Sequence, residues 1–414
     1  MTARTGHPDF LDLPWEEPLE TWEHPRLVEV PRGLHRHVVR FVRYDDALYV
    51  LKELPRRYAE REYRFLRHLA EEQVPAVEVV GVVSRRMHGG EPLEAVLITR
   101  HLAYSLPYRL LFERRSAAEL REPMLDALVD LLVRVHLVGF LWGDCSLSNT
   151  LFRRDAGRLA AYVVDTETGE LHDRLTDGQR YWDVDIAIER CAGELLDLQA
   201  AGVLTDDADP ALLGEELRDR YDALWDELHR EEVFTSEERY RIHERLQRVN
   251  ELGYDVAELE ILGEHDEPSA VRMRLQVVEP SRHRRLLLER TGLVAQEEQA
   301  RFLLNDIANF GAWLQADQAQ QLSDDVVVRN WLERSYHRAL SHVPMDLRGR
   351  REEPQLFVEI LQHWHDLSAT RGSDVDLWAA ADDYVETVLR PQPDEVVVTD
   401  PSEVDTEDYD PFED

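Results

Sequence analysis

Apolar and polar positions change period several times along the chain. From Leu27 the runs "RLVEV", "VVRFVRY" and "ALYVLKEL" are rich in β-branched and aromatic residues, and "PRGLHRH" and "DD" divide them. That spacing predicts a three-stranded meander. "RRYAEREYRFLRHLAEEQ" then places Tyr58, Phe65, Leu66 and Leu69 at helical spacing. Two more strand-like runs follow, "AVEVVGVVSRR" and "LEAVLITRHL", on either side of the turn "HGGEP". The predicted order is β-β-β-α-β-β. A helix over about 118–138 comes next, then the polar passage "GFLWGDCSLSNTLF" at 139–152 and the strand-like "LAAYVVDTE". From 180 to 232 the pattern is helical.

A second unit begins near Thr235. It reads as a helix over 236–251, a hairpin from "AELEIL" and "AVRMRLQVV", and helices near 282–290, 295–315, 325–341, 354–366 and 374–389. The first ~25 residues, rich in proline and acid, read as a lead-in strap. The tail from 391 to 414 holds ten acidic residues, four prolines and no basic residue, and is expected to be disordered. No internal repeat stands out.

Composition narrows the functional classes. At 414 residues the chain exceeds one hydrophobic core, so two or three domains are expected. The longest apolar stretch, 125–142, is broken by Asp126, Asp130, Arg134 and His136, which argues against a transmembrane segment. The N-terminus has no apolar core of a secretory signal, and two cysteines make neither a disulfide framework nor a four-cysteine zinc site. The expectation is a cytoplasmic protein. A formal charge of −36 repels phosphates at long range and argues against nucleic-acid binding. A phosphate-bearing ligand then needs a local device to hold it.

The polar passage supplies candidates for one. Asp144 and Asn149 lie five residues apart in a loop, and Asp165 ends the apolar run "YVVD" sixteen residues later. Two carboxylates and an amide brought together by a helix, loop, strand and turn suit Mg²⁺, which takes one or two carboxylates plus substrate phosphates. Upstream, Lys52 ends the alternating strand "LYVLK", and Glu62 on the next helix is placed to pin its ammonium. A lysine so held neutralises the α- and β-phosphates of a nucleotide.

Taken together, Lys52, Glu62, "GDCSLSN" and "VVD" in this order resemble the protein-kinase-like fold, in its atypical, lipopolysaccharide-kinase-like form. The whole chain, through "WGDCSLSNTLFRRDAG", "VDTETGE" and "SRHRRLLLERTGL", resembles an uncharacterised bacterial domain-of-unknown-function family. The resemblance implies an α+β chain: a two-lobed kinase-like fold, then a mainly helical α+β C-terminal domain with a β-hairpin. Its domains would be a strap (1–25), an N-lobe (26–102), a C-lobe (103–232), a C-terminal domain (233–390) and the tail (391–414). It implies ATP and Mg²⁺ as cofactors, Asp144 and Lys52 as catalytic residues, and Asn149 and Asp165 as metal ligands. Gly33, Lys52, Glu62, Thr99 and Leu102 would meet the nucleotide. The phosphoryl acceptor, whether protein, lipid, sugar or small alcohol, is left open.

The chain departs from that pattern at several points. Trp142 and Gly143 precede Asp144, so the usual histidine contact is expected to be missing. Ser146 and Ser148 stand where a basic residue is usual, the metal triplet is Asp165-Thr166-Glu167, and the glycine-rich loop is reduced to Gly33. Glu60 is the alternative to Glu62. Asp183 and Asp185 are expected to brace the loop or cap a helix. Cys145 is expected to be a packed thiol rather than a nucleophile. Arg272 and Arg274 are expected to pair with Glu258 and Glu260 across the hairpin, with an anion site at "SRHRR" as the other reading. Two functions result: an ATP-dependent phosphotransferase, or an inactive nucleotide-binding scaffold that engages a partner through its C-terminal domain.

Overall fold

The computed structural model describes residues 2–395 except 4, 30–36, 46, 115–116, 205–209, 231, 236–238, 264–269, 319–321, 374 and 394. Backbone alone is described at 2–3, 113–114, 117–118, 210–211, 232–235, 239–243, 255–263, 270–280 and 317–318. Gly33 and nearly all of the acidic tail lie outside the described residues.

The first lobe contains β1 (Thr2–Ala3), β2 (Leu27–Val28), β3 (Val38–Tyr44), β4 (Ala47–Leu54), α1 (Arg56–Glu71), β5 (Val79–Val83), a small hairpin β6 (Met87–His88) and β7 (Glu91–Pro92), and β8 (Ala95–Arg100). Its six-stranded sheet runs β1-β5-β8-β4-β3-β2. The predicted β-β-β-α-β-β order is present in β2 through β8, and β1 adds an edge strand antiparallel to β5. Phe10, Leu13, Leu19 and Trp22 of the lead-in segment bury against Val42, Tyr49 and Ile98, covering one face of the sheet. Buried Arg86 ties that segment down by donating to the carbonyls of Trp15 and Glu17 and to the Glu53 carboxylate.

Helix α1 packs on the other face through Ala59 and Leu66, while Leu69 of the same stripe reaches the core of the second lobe. Glu62 falls on that same stripe, at 1% exposure, where a leucine would ordinarily sit. Glu60 faces solvent and pairs with Arg56.

The second lobe follows, with β9 (Ser105–Pro107), α2 (Tyr108–Arg114), α3 (Ala117–Leu137), β10 (Phe140–Leu141), β11 (Thr150–Asp155), β12 (Arg158–Val163), β13 (Glu170–Leu171), α4 (Asp177–Ala200) and α5 (Pro210–His229). Its core is formed by Leu125, Leu128, Leu132 and Val135 of α3 with Val184, Ala187 and Cys191 of α4 and Leu217 and Tyr221 of α5. The expected α+β, two-lobed kinase-like architecture is therefore present.

The C-terminal domain holds β14 (Glu232–Thr235), α6 (Arg239–Glu251), β15 (Tyr254–Gly263), β16 (Ala270–Pro280), α7 (Arg282–Thr291), α8 (Glu297–Gln318), α9 (Asp324–Trp331), α10 (His337–Ser341), α11 (Glu353–Arg371) and α12 (Leu377–Tyr384). The predicted hairpin is β15–β16, widened to three strands by β14. A bulge between Val256 and Leu259 shifts the register. In the regular stretch beyond it Glu260 stands opposite Arg274 as expected but Arg272 opposite Leu262, while Glu258, at the irregularity, stands opposite Val277. No helix among the described residues is long and apolar enough to cross a membrane.

Candidate active site

Strand β4 alternates, so Lys52 shares a face with Val50. In the β4–β8 register Thr99 lies opposite Val50, which puts Thr99 on the same face as Lys52. Leu102 follows just beyond β8, and its carbonyl accepts the Ser105 hydroxyl at 2.6 Å.

Lys52 Nζ is 3.2 Å from Glu62 Oε2 and 2.6 Å from Asp165 Oδ2. One ammonium thus joins the sheet, helix α1 and the end of β12. Burial opposes its charge, but Glu62 and Asp165 outweigh that and hold its pKa above the ordinary lysine value. Burial and the neighbouring Asp165 push Glu62 the other way from Lys52's pull, up to about 8. Both shifts go upward because the cluster carries more carboxylates than ammonium groups.

In the polar passage, Asn149 Nδ2 donates to the Asp144 carbonyl at 2.9 Å and to its carboxylate at 3.2 Å. Arg190 of α4 reaches Asp144 Oδ1 at 3.2 Å. The backbone of the loop is braced from α4. Asp183 accepts the N–H groups of Trp142 and Gly143 at 2.6 and 2.8 Å, and Glu194 accepts that of Leu147 at 2.6 Å. Gly143 has φ +75°, a left-handed conformation that a side chain would strain. The polar residues of this stretch therefore satisfy a buried loop's backbone and turn two functional groups outward.

Trp142, which stands where a histidine is usual, donates its indole N–H to the Asp165 carbonyl at 2.7 Å. A histidine also contributes from α3: His136 lies 3.2 Å from Asp183 and 2.7 Å from the Tyr221 hydroxyl, fully buried. Asp183 is thus the hub of the loop, as the bracing expectation required, while Asp185 makes a separate exposed pair with Arg218. We expect Asp183→Ala to leave buried donors unpaired and cost about 3–5 kcal/mol. An unshifted denaturation midpoint would show that the loop does not depend on it.

Arg190 and Glu194, which sequence reasoning missed, share a readable signal with Asp183. Asp183, Ala187, Arg190 and Glu194 follow i, i+4, i+7, i+11 along α4, one stripe of a helix. That stripe faces the loop. Glu167, third in the metal triplet, also belongs to the site: its carboxylate lies 2.9 Å from His37 and 4.0 Å from Lys52.

Two other candidates are settled by packing. Cys145 is buried, and burial drives its thiol pKa well up, so it is no nucleophile. The N-terminus of α7 is already satisfied, since Glu297 accepts the N–H groups of His283 and Arg284. The anion site at "SRHRR" is therefore filled by this chain's own carboxylate.

The donor set suits magnesium. Asn149 commits its amide nitrogen to Asp144, which leaves its carbonyl oxygen as the group to offer a cation, and Asp165 adds a carboxylate beside it. Val164 N–H donates to the backbone carbonyl of Asn149 at 3.1 Å, which brings the two candidate ligand positions onto neighbouring strand ends. Among the described residues no group of three or more His, Cys, Asp or Glu is arranged to hold a metal alone.

Residues 38–186 match the lipopolysaccharide kinase (Kdo/WaaP) family, and residues 223–389 match a domain of unknown function, DUF4032. No curated protein matches the chain. Among solved structures, WaaP in complex with acyl carrier protein is 18% identical, covering 50% of this chain and 91% of that one, with a TM-score of 0.32. The yeast RNA Pol II CTD kinase CTDK-1 complex is 13% identical, covering 36% and 48%, with a TM-score of 0.27. Superpositions so partial add nothing to the geometry. The chain joins a lipopolysaccharide kinase (Kdo/WaaP) family domain at 38–186 to a DUF4032 domain at 223–389.

Proposed function

We propose that this protein is an ATP- and magnesium-dependent phosphotransferase acting on a hydroxyl group. The observation that carries the reading is the Lys52 ammonium held between Glu62 of α1 and Asp165 at the end of β12. A buried lysine with two carboxylate partners serves a polyphosphate in a strongly acidic chain better than it serves stability alone. In this reading Lys52 holds the α- and β-phosphates, while Asn149 and Asp165 hold the metal. Magnesium, when bound, offsets charge on the β- and γ-phosphates. The Asp144 carboxylate accepts the acceptor's proton as the new P–O bond forms and the bond to ADP breaks. Arg190 provides, from α4, the cation that the loop itself lacks.

The scaffold reading has one observation in its favour. The Glu167 carboxylate faces Lys52 and His37, where phosphates would have to compete with it. Nucleotide titration separates the readings. ATP affinity should fall sharply in EDTA, because Asp165, Glu167 and Asp144 would otherwise face phosphates unscreened. Equal affinity in EDTA and magnesium would defeat the metal assignment. Magnesium-dependent binding with neither autophosphorylation nor ATP hydrolysis would favour the scaffold.

A further inference from the structure

Asn149 and Asp165 flank the open end of a single β-hairpin, one on each strand's side. Strands β11 and β12 pair from Thr150↔Val163 through Asp155↔Arg158, and the pairing continues to Asn149 through Val164. The turn, Ala156-Gly157, has φ of 50° and 90°, both positive as in the tight hairpin turns that match strand twist. The hairpin is therefore a stiff rod of roughly 17 Å at about 3.4 Å per residue. One end carries the candidate metal ligands and the other enters the C-terminal domain.

That domain grips the far end with buried polar groups. Asp155 accepts the N–H groups of Glu298 and Gln299 at 3.1 and 2.7 Å, capping the start of α8. The Gln299 amide donates to the Arg154 carbonyl at 3.0 Å and to Gln355 at 2.9 Å, and Gln355 in turn accepts the Ala156 N–H at 3.0 Å. Both glutamines are buried. Farther along, Tyr162 donates to Gln296 at 2.5 Å, and Arg154 pairs with Glu395 at 2.9 Å. Both strands and the turn are thus held, in a network where each buried amide has partners. A surface packed for stability alone needs only apolar contacts. A network of directed bonds to strand backbone fixes the position of that strand.

We infer that the C-terminal domain is a positioning clamp for the metal-ligand pair, with Asp155, Gln299 and Gln355 as positioning residues that act through the β11–β12 hairpin. The inference rests on the proposed reading of Asn149 and Asp165 as metal ligands. Groups that orient metal ligands from behind typically change metal affinity by about 10–100-fold when removed.

The test uses the full chain, titrated with Mg²⁺ at fixed ADP. The Gln299→Ala, Gln355→Ala double variant should need about 10–100-fold more Mg²⁺ to reach the same ADP affinity, with metal-free ADP binding unchanged. Coupling is reciprocal, so the wild type should respond as well. Adding Mg²⁺ and ADP should slow amide exchange at Glu298, Gln299 and Ala156 together with Val164. This second measurement decides the matter even if the double variant fails to fold. Slowing confined to Val164 and the loop, or a folded double variant with unaltered Mg²⁺ requirement, overturns the clamp. A wild type whose ADP binding ignores Mg²⁺ overturns the site reading itself, and the clamp with it.

Discussion

Asp144→Asn is expected to lower phosphoryl transfer by about 10²–10⁴-fold with little change in ATP affinity. The amide keeps an oxygen for the Asn149 contact and the shape of the loop, but it cannot accept a proton. Asn149 and Asp165 keep their positions, because the loop hangs on Asp183 and Glu194 rather than on Asp144. Autophosphorylation or slow ATP hydrolysis serves as the readout while the acceptor is unidentified. An active wild type matched by a fully active Asp144→Asn variant would remove Asp144 from the chemistry.

Lys52→Ala should cost about 10²–10³-fold in turnover, the loss typical of one positioned electrostatic donor. The fold should persist, since the Lys52 side chain keeps some exposure and the strand's packing rests on Leu48, Leu51 and Leu54. The ATP-bound state should suffer most, because the remaining cluster of Glu62, Asp165 and Glu167 is purely acidic. Melting curves and ATP titration of the same sample check both halves of this expectation. An unfolded Lys52→Ala beside a fully active Glu62→Gln would make the pair structural.

The parts of this molecule legible in the sequence are those governed by local rules. Strand alternation placed Lys52, and helical spacing placed α1 and most helices of the C-terminal domain. The same spacing, carried one step further, separates Glu62 from Glu60. Glu62 shares the stripe of Ala59, Leu66 and Leu69, so a carboxylate there is buried and must answer to a cation. What escaped is long-range. Trp142 donates its indole N–H to the Asp165 carbonyl across 23 positions of chain, a contact no local pattern marks. His136, read only as a polar interruption of an apolar helix, joins the loop through Asp183. The partner of Arg272 depends on how the two strands are registered against each other, which alternation alone does not set.

The hairpin's grip also has a consequence for the order in which the protein is made. Asp155 meets Glu298 and Gln299 across 143 and 144 positions of chain, and Arg154 meets Glu395 across 241. At about 5–20 residues per second on the ribosome, those partners emerge roughly ten to fifty seconds after the hairpin does. Both lobes are complete long before the C-terminal domain exists. A nascent chain thus passes through an interval in which the hairpin is held only by β9 and the core of its own lobe, and it leaves that interval only when the last helices have been synthesised.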